Sequence, residues 1–92
     1  MRFEVEHSER WREAFASRQE SYSGAGLRLL SLWSDLDKAG QFFALFDVTD
    51  LDAARAFLED GRTDEADELA GVLRREYWFV GAPPPPLGQG PG

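Results

Sequence analysis

His7 is the only imidazole in the chain, and so the only side chain whose unperturbed pKa lies in the physiological range. It follows a short alternating stretch, on the side of Phe3 and Val5 if the pleat continues. A general base, or a hydrogen-bonding group at a pocket mouth, is the chemistry it would serve there. The plainer role is that of a half-exposed residue near the cap of a helix. Arg28 and Asp47 each interrupt an otherwise apolar strand environment and complete the set of candidate catalytic residues. The aromatics Trp11, Tyr22, Trp33, Phe43 and Trp78, with Tyr77, could line a cavity for a flat polycyclic or quinone-like ligand, since such pockets are mostly apolar with few polar fixtures. The same rings are needed first as core in a chain of 92 residues. A cofactor-free oxygenase would need little more than such a pocket and one or two polar groups, because the substrate anion itself can react with oxygen.

Other chemistries are poorly served. With no cysteine there is no disulfide, no thiolate nucleophile and no Cys-ligated metal. The carboxylates cluster as Asp35/Asp37, Asp47/Asp50/Asp52 and Asp64/Glu65/Asp67/Glu68, without calcium-loop spacing, and one histidine cannot build a standard zinc site. Turns, helix caps and solvated helix faces account for nearly all of them, so no metal and no cofactor are expected. Phosphate-cradling glycine loops, nucleophile elbows and dinucleotide fingerprints are missing. Ten Lys+Arg against seventeen Asp+Glu give a net charge of −7, which disfavours nucleic acid and anionic membranes as partners. The longest apolar runs fall far short of a membrane span and no signal-like stretch opens the sequence, so a cytoplasmic protein is expected.

The elements that must position these residues follow from periodicity. Arg2 to Glu6 alternates as a half-buried strand. Ser8 offers a cap, and Trp11, Ala14, Phe15 and Tyr22 recur at helical spacing to about Tyr22, with Arg18 on the same stripe and in need of a partner. Ser23-Gly24-Ala25-Gly26 ends the helix. Leu27 to Ser34 and Gln41 to Thr49 form an antiparallel hairpin about the polar turn 35–40. Uninterrupted pleating puts Leu27, Leu29 and Trp33 on one face and Leu30 and Leu32 on the other. In the second strand Phe42, Ala44, Phe46 and Val48 oppose Phe43 and Leu45, so both faces of the hairpin are largely apolar. Thr49 or Asp50 caps a short helix that Gly61 ends, Thr63 caps a second with Ala66, Leu69, Ala70 and Leu73 on its stripe, and Glu76-Tyr77-Trp78-Phe79-Val80 is the last strand. Residues 83–92, with all five prolines, form a Pro/Gly-rich tail expected to be disordered. Its four-proline run meets the minimum for polyproline recognition, though ending the last strand is the simpler use.

The expected fold class is therefore α+β: a ferredoxin-like β-α-β-β-α-β split over residues 1–82, with a four-stranded antiparallel sheet and the second helical region broken in two. Helices can hide only one face. An apolar second face asks for a homodimer in which two sheets pack face to face.

The segment Phe46-Asp47-Val48-Thr49-Asp50-Leu51-Asp52-Ala53-Ala54-Arg55-Ala56-Phe57-Leu58 resembles the strand-to-helix crossing of the dimeric α+β barrel superfamily, in particular its small antibiotic-biosynthesis-monooxygenase-like proteins. Val5-Glu6, Trp11 with Phe15, Ala70-Gly71-Val72 and Tyr77-Trp78-Phe79-Val80 extend the likeness over roughly residues 3 to 80. The resemblance implies a dimer with a pocket between each sheet and its helices. It does not choose between monooxygenase, isomerase, haem degradation and no activity. Relatives' early-strand histidine has no counterpart, Arg2 and Phe3 standing there, and the axial histidine of haem-binding relatives is missing. The function expected is binding of a hydrophobic or aromatic small molecule, with possible cofactor-independent monooxygenase or isomerase activity. The alternative is a non-enzymatic ligand-binding or oligomerisation module.

Overall fold

The computed structural model describes residues 1–82. The tail expected over 83–92 lies outside the described residues. Eight elements follow in order: β1 (Arg2–Val5), α1 (Ser8–Ser17), α2 (Gln19–Gly24), β2 (Leu27–Ser34), β3 (Gln41–Val48), α3 (Leu51–Glu59), α4 (Gly61–Leu69) and β4 (Val72–Glu76). The protein is an α+β fold whose four strands make one antiparallel sheet in the order β2-β3-β1-β4.

The expected hairpin forms with almost the expected bounds. Asp35 builds its turn by accepting the amides of Asp37 and Lys38 at 2.8 and 3.1 Å. Gly40 then ties the turn to β1. Its carbonyl accepts the Val5 amide at 2.8 Å, its φ is +79°, and a Cβ there would sit 2.7 Å from the Val5 carbonyl oxygen.

Four expectations about the elements are corrected. A β-bulge between Leu29 and Ser31 breaks the pleat of β2, because Leu29 opposes Phe46 while Ser31 opposes Leu45. Leu32 is thereby placed opposite Ala44 on the helix side and Trp33 opposite Phe43 on the outer side, the reverse of uninterrupted alternation. The last strand is Val72–Glu76, not Glu76–Val80, and Leu73 belongs to it rather than to the preceding helix. Gly71, at φ +80°, ends the helical path, and its carbonyl accepts the Glu6 amide at 3.0 Å. The caps also differ. Ser8 lies inside α1, which His7, extended at φ −130°, precedes without a side-chain cap, and Asp60, not Thr63, caps α4; Asp50, one of the two expected caps of α3, does accept the Ala53 amide, but α3 ends at Glu59 rather than at Gly61. The first helix is broken as well, at Arg18, where the backbone amide bonds back to Phe15 at 3.2 Å and the chain resumes as α2.

All four helices lie on one face of the sheet. Phe3, Val5, Leu27, Phe42 and Ala44 from the strands meet Trp11, Phe15, Tyr22, Ala54 and Leu58 from α1, α2 and α3 in a single cluster. Helix α4 contributes almost no apolar surface. It docks through Asp67, which is buried and accepts Arg18 Nη1 and Arg75 Nη1, each at 2.5 Å. Arg75 stands opposite Phe3 on the inner face of β4 and also donates to Asp64 and to the Leu58 carbonyl. The partner that Arg18 needed is therefore Asp67.

Removing one member of a buried ion pair leaves its partners charged and dry, at a cost of ~3–5 kcal/mol. Asp67→Ala should lose stability on that scale in urea denaturation. An unchanged midpoint would show that α4 is held by something else.

Candidate functional site

The residues singled out from sequence divide into three places. His7 is exposed at the β1–α1 junction, where its carbonyl accepts the Trp11 amide at 2.9 Å. Arg28 and Asp47 face each other across β2 and β3 on the outer face, with Arg28 Nη2 donating to Asp47 Oδ2 at 3.1 Å. They neutralise one another in solvent, and the pair is of the exposed kind worth well under ~1 kcal/mol. The three candidates do not converge.

Trp11 and Tyr22 are core residues. Trp11 stacks on Phe15 at 4.8 Å and Phe42 at 4.7 Å, and Tyr22 stacks on Phe46 at 5.3 Å and meets Phe57 edge-on at 5.2 Å. Ring contacts of this kind contribute energy beyond burial alone and leave little volume unfilled. The Tyr22 hydroxyl is buried and has no hydrogen-bond partner among the described residues. Its ring lies under the Arg18 guanidinium at 5.3 Å. Burial pushes the phenol up from 10.0 to about 12, with Arg18 partly opposing and Asp67 adding to the rise.

Trp33 and Phe43 lie instead side by side on the outer face, and Trp78 is exposed beyond the end of β4, with Arg2 5.9 Å above its ring. Leu30 and Leu45 join them: exposure is 54% for Leu30, 64% for Trp33, 39% for Phe43 and 53% for Leu45. The outer face thus has an apolar half on β2 and β3. Its other half, on β1 and β4, is charged. Arg2 opposes Glu76 and Glu4 opposes Arg74, and both arginines engage the Glu76 carboxylate, Arg74 Nε at 2.9 Å. These guanidinium contacts, the Arg2 hydrogen bond first, hold Glu76 below the usual carboxylate range.

Three concavities bear on binding. A gap of about 70 Å³ lies between β3 and the segment 77–80, lined by Leu27, Phe46, Leu58, Tyr77 and Phe79 among others. An open groove of about 550 Å³ runs between α1 and β2 over Phe15, Leu29 and Leu32. A polar hollow of about 240 Å³ sits at the charged corner of the outer face, lined by Arg2, Glu4, Lys38, Gln41, Arg74 and Glu76. None of the three is lined by His7, Arg28 or Asp47. The alternation of Arg2-Phe3-Glu4-Val5 puts Arg2 and Glu4 on one face, and only the pairing of β1 with β3 and β4 brings Gln41, Arg74 and Glu76 beside them. Among the described residues no group of three or more His, Cys, Asp or Glu is placed to hold a metal ion. No described helix is long and apolar enough to cross a membrane. Comparison with protein-family models, with curated proteins and with solved structures finds no match.

Because the phenol of Tyr22 is neutral in the fold until about pH 12 but ionises near 10.0 when unfolded, its contribution is full below pH 10 and is lost as pH rises through 12. Tyr22→Phe should remove that alkaline loss. It should leave neutral-pH stability unchanged, or raise it by up to ~1 kcal/mol, since an unpaired buried hydroxyl is deleted. Thermal melts between pH 7 and 12 test both; a marked loss at pH 7 would mean the hydroxyl has a partner.

Proposed function

We propose that the chain is a homodimeric, ferredoxin-like module whose two outer sheet faces pack against each other. The observation that carries this reading is the exposed cluster of Leu30, Trp33, Phe43 and Leu45 on the face that the helices do not cover. Large apolar side chains contiguous on one face of a sheet mark a surface meant to be covered. A second copy is the occupant that the charges favour. The half of the outer face that carries this patch, on β2 and β3, has Arg28 paired with Asp47 and so is neutral while the chain as a whole is −7. Two like-charged copies meet with least repulsion through a neutral face, and a two-fold axis presents the same patch from both sides. The order of one strand, a helical region, a two-strand hairpin, a second helical region and a last strand, with β1 and β3 central and β2 and β4 at the edges, supports the ferredoxin-like reading and its likeness to dimeric α+β barrels.

A non-enzymatic module is favoured over a cofactor-independent monooxygenase or isomerase. His7 stands apart from both Arg28 and Asp47, and those two satisfy each other. The helix–sheet layer, where the family likeness would place a substrate, is packed with aromatic rings. A small hydrophobic ligand keeps one supporting observation, the gap of about 70 Å³ beside Tyr77 and Phe79.

Sedimentation at micromolar concentration should return twice the mass of one chain. Leu45→Asp, at an exposed position that a folded monomer tolerates, should weaken the dimer roughly 100-fold or more, because a charge is then buried without a partner. A wild-type monomer at that concentration, or a dimer indifferent to Leu45→Asp, would overturn the reading.

A further inference from the structure

The polar corner of the outer face stands beside the apolar patch rather than in it, and it is assembled with more care than a solvated cluster needs. Arg2 is fixed by the Glu76 carboxylate on one side and the Trp78 ring on the other. Arg74 reaches Glu76 through Nε at 2.9 Å. Gln41 is held in β3 opposite Glu4, with its carbonyl accepting the Asp35 amide at 2.9 Å. Lys38 is carried to the rim by the turn that Asp35 organises and that Gly40 anchors to Val5. Among the described residues Lys38 makes no ion pair, and the Gln41 amide makes no side-chain hydrogen bond.

We infer that this hollow, lined by Arg2, Lys38, Gln41 and Arg74, binds the carboxylate of a small organic acid. Three cations face two carboxylates, Glu4 and Glu76, so the corner is positive by one charge within a chain that is negative by seven. Glu76 already occupies one edge of both guanidiniums. The incoming anion is left with the Lys38 ammonium, the Gln41 amide and the remaining guanidinium N–H groups, donors that a planar two-oxygen acceptor can share. Glu4 forms the repelling wall and disfavours anions of higher charge, which sets a monocarboxylate apart from phosphate. The volume of about 240 Å³ admits a carboxylate with a short organic group.

The test is a titration of the full chain at constant ionic strength, followed by amide chemical shifts, with sodium benzoate, sodium acetate and inorganic phosphate as probes. Benzoate and acetate should give saturable shifts centred on Lys38, Gln41 and Arg74, with phosphate weaker. Lys38→Met, at an exposed turn position, should reduce carboxylate affinity about fivefold, the equivalent of one ~1 kcal/mol exposed ion pair. Glu4→Gln should raise it. Shifts that do not saturate or that spread over the surface would overturn the proposal, as would a Lys38→Met variant that binds equally well. Tighter phosphate binding would overturn the assignment to carboxylates.

Discussion

Asp67 accepts two guanidinium groups in a layer that is otherwise aromatic, and the placement of three elements depends on it. Arg18 comes from the break between α1 and α2, and Arg75 from the inner face of β4, which joins the sheet only through β1. Helix α4 shows Thr63 and Asp67, not a run of leucines, to the interior. Without the carboxylate two buried cations would confront each other and α4 would have no reason to dock. The arrangement is specific in a way that greasy contacts are not, since a slip of one residue in β4 would move Arg75 to the outer face and strand Asp67. The Thr63 hydroxyl adds a second tie by donating to the Phe57 carbonyl at 2.6 Å, which fixes the angle between α3 and α4.

This cluster is also what the sequence conceals best. The run Asp64-Glu65-Asp67-Glu68 reads as a solvated helix face, and three of its four members are exposed. Nothing in the spacing marks Asp67 as the one that turns inward; the only visible hint was Arg18 on an apolar stripe, a cation with no local partner. The hairpin was legible because its turn residues and glycine leave little choice, and so was the cap at Asp50, whereas the break between α3 and α4 falls at Asp60 and Gly61 opens α4. Strand β4 was misplaced for a physical reason. Tyr77-Trp78-Phe79-Val80 has far higher β-propensity than Val72-Leu73-Arg74-Arg75-Glu76, but propensity is weak against register. Pairing with β1 is available to residues 72–76, opposite Val5 to Arg2, and it is over those residues that the strand forms.

The candidate site was legible as residue types and not as places. Period-two alternation put Phe43 and Leu45 on one face and Phe42, Ala44 and Phe46 on the other, a division that holds because β3 is regular. It failed for β2, where one extra residue at the bulge exchanges the roles of Leu32 and Trp33. The bulge brings Trp33 next to Phe43 and concentrates the apolar outer surface, while Leu32 packs against the core opposite Ala44. A straight β2 would have dispersed the same residues over both faces.

The distribution of charge follows from the same division of the sheet. Cross-strand neighbours on the outer face pair opposite signs, Arg28 with Asp47, Arg2 with Glu76 and Glu4 with Arg74, so the strand charges of that face cancel and the negative surplus of the chain is carried elsewhere. The helical layer, above all α3 and α4 with their caps, is thus strongly negative, and it repels any copy that approaches from that side. The outer face is the one broad surface on which apolar area and electrostatic indifference coincide. A chain that needed only solubility would have spread its carboxylates over both faces, since charges on the open face of a sheet cost nothing to solvate. Their balance there, next to exposed Trp and Phe, constrains what can cover the sheet to something likewise balanced in charge, and a copy of the face itself meets that condition.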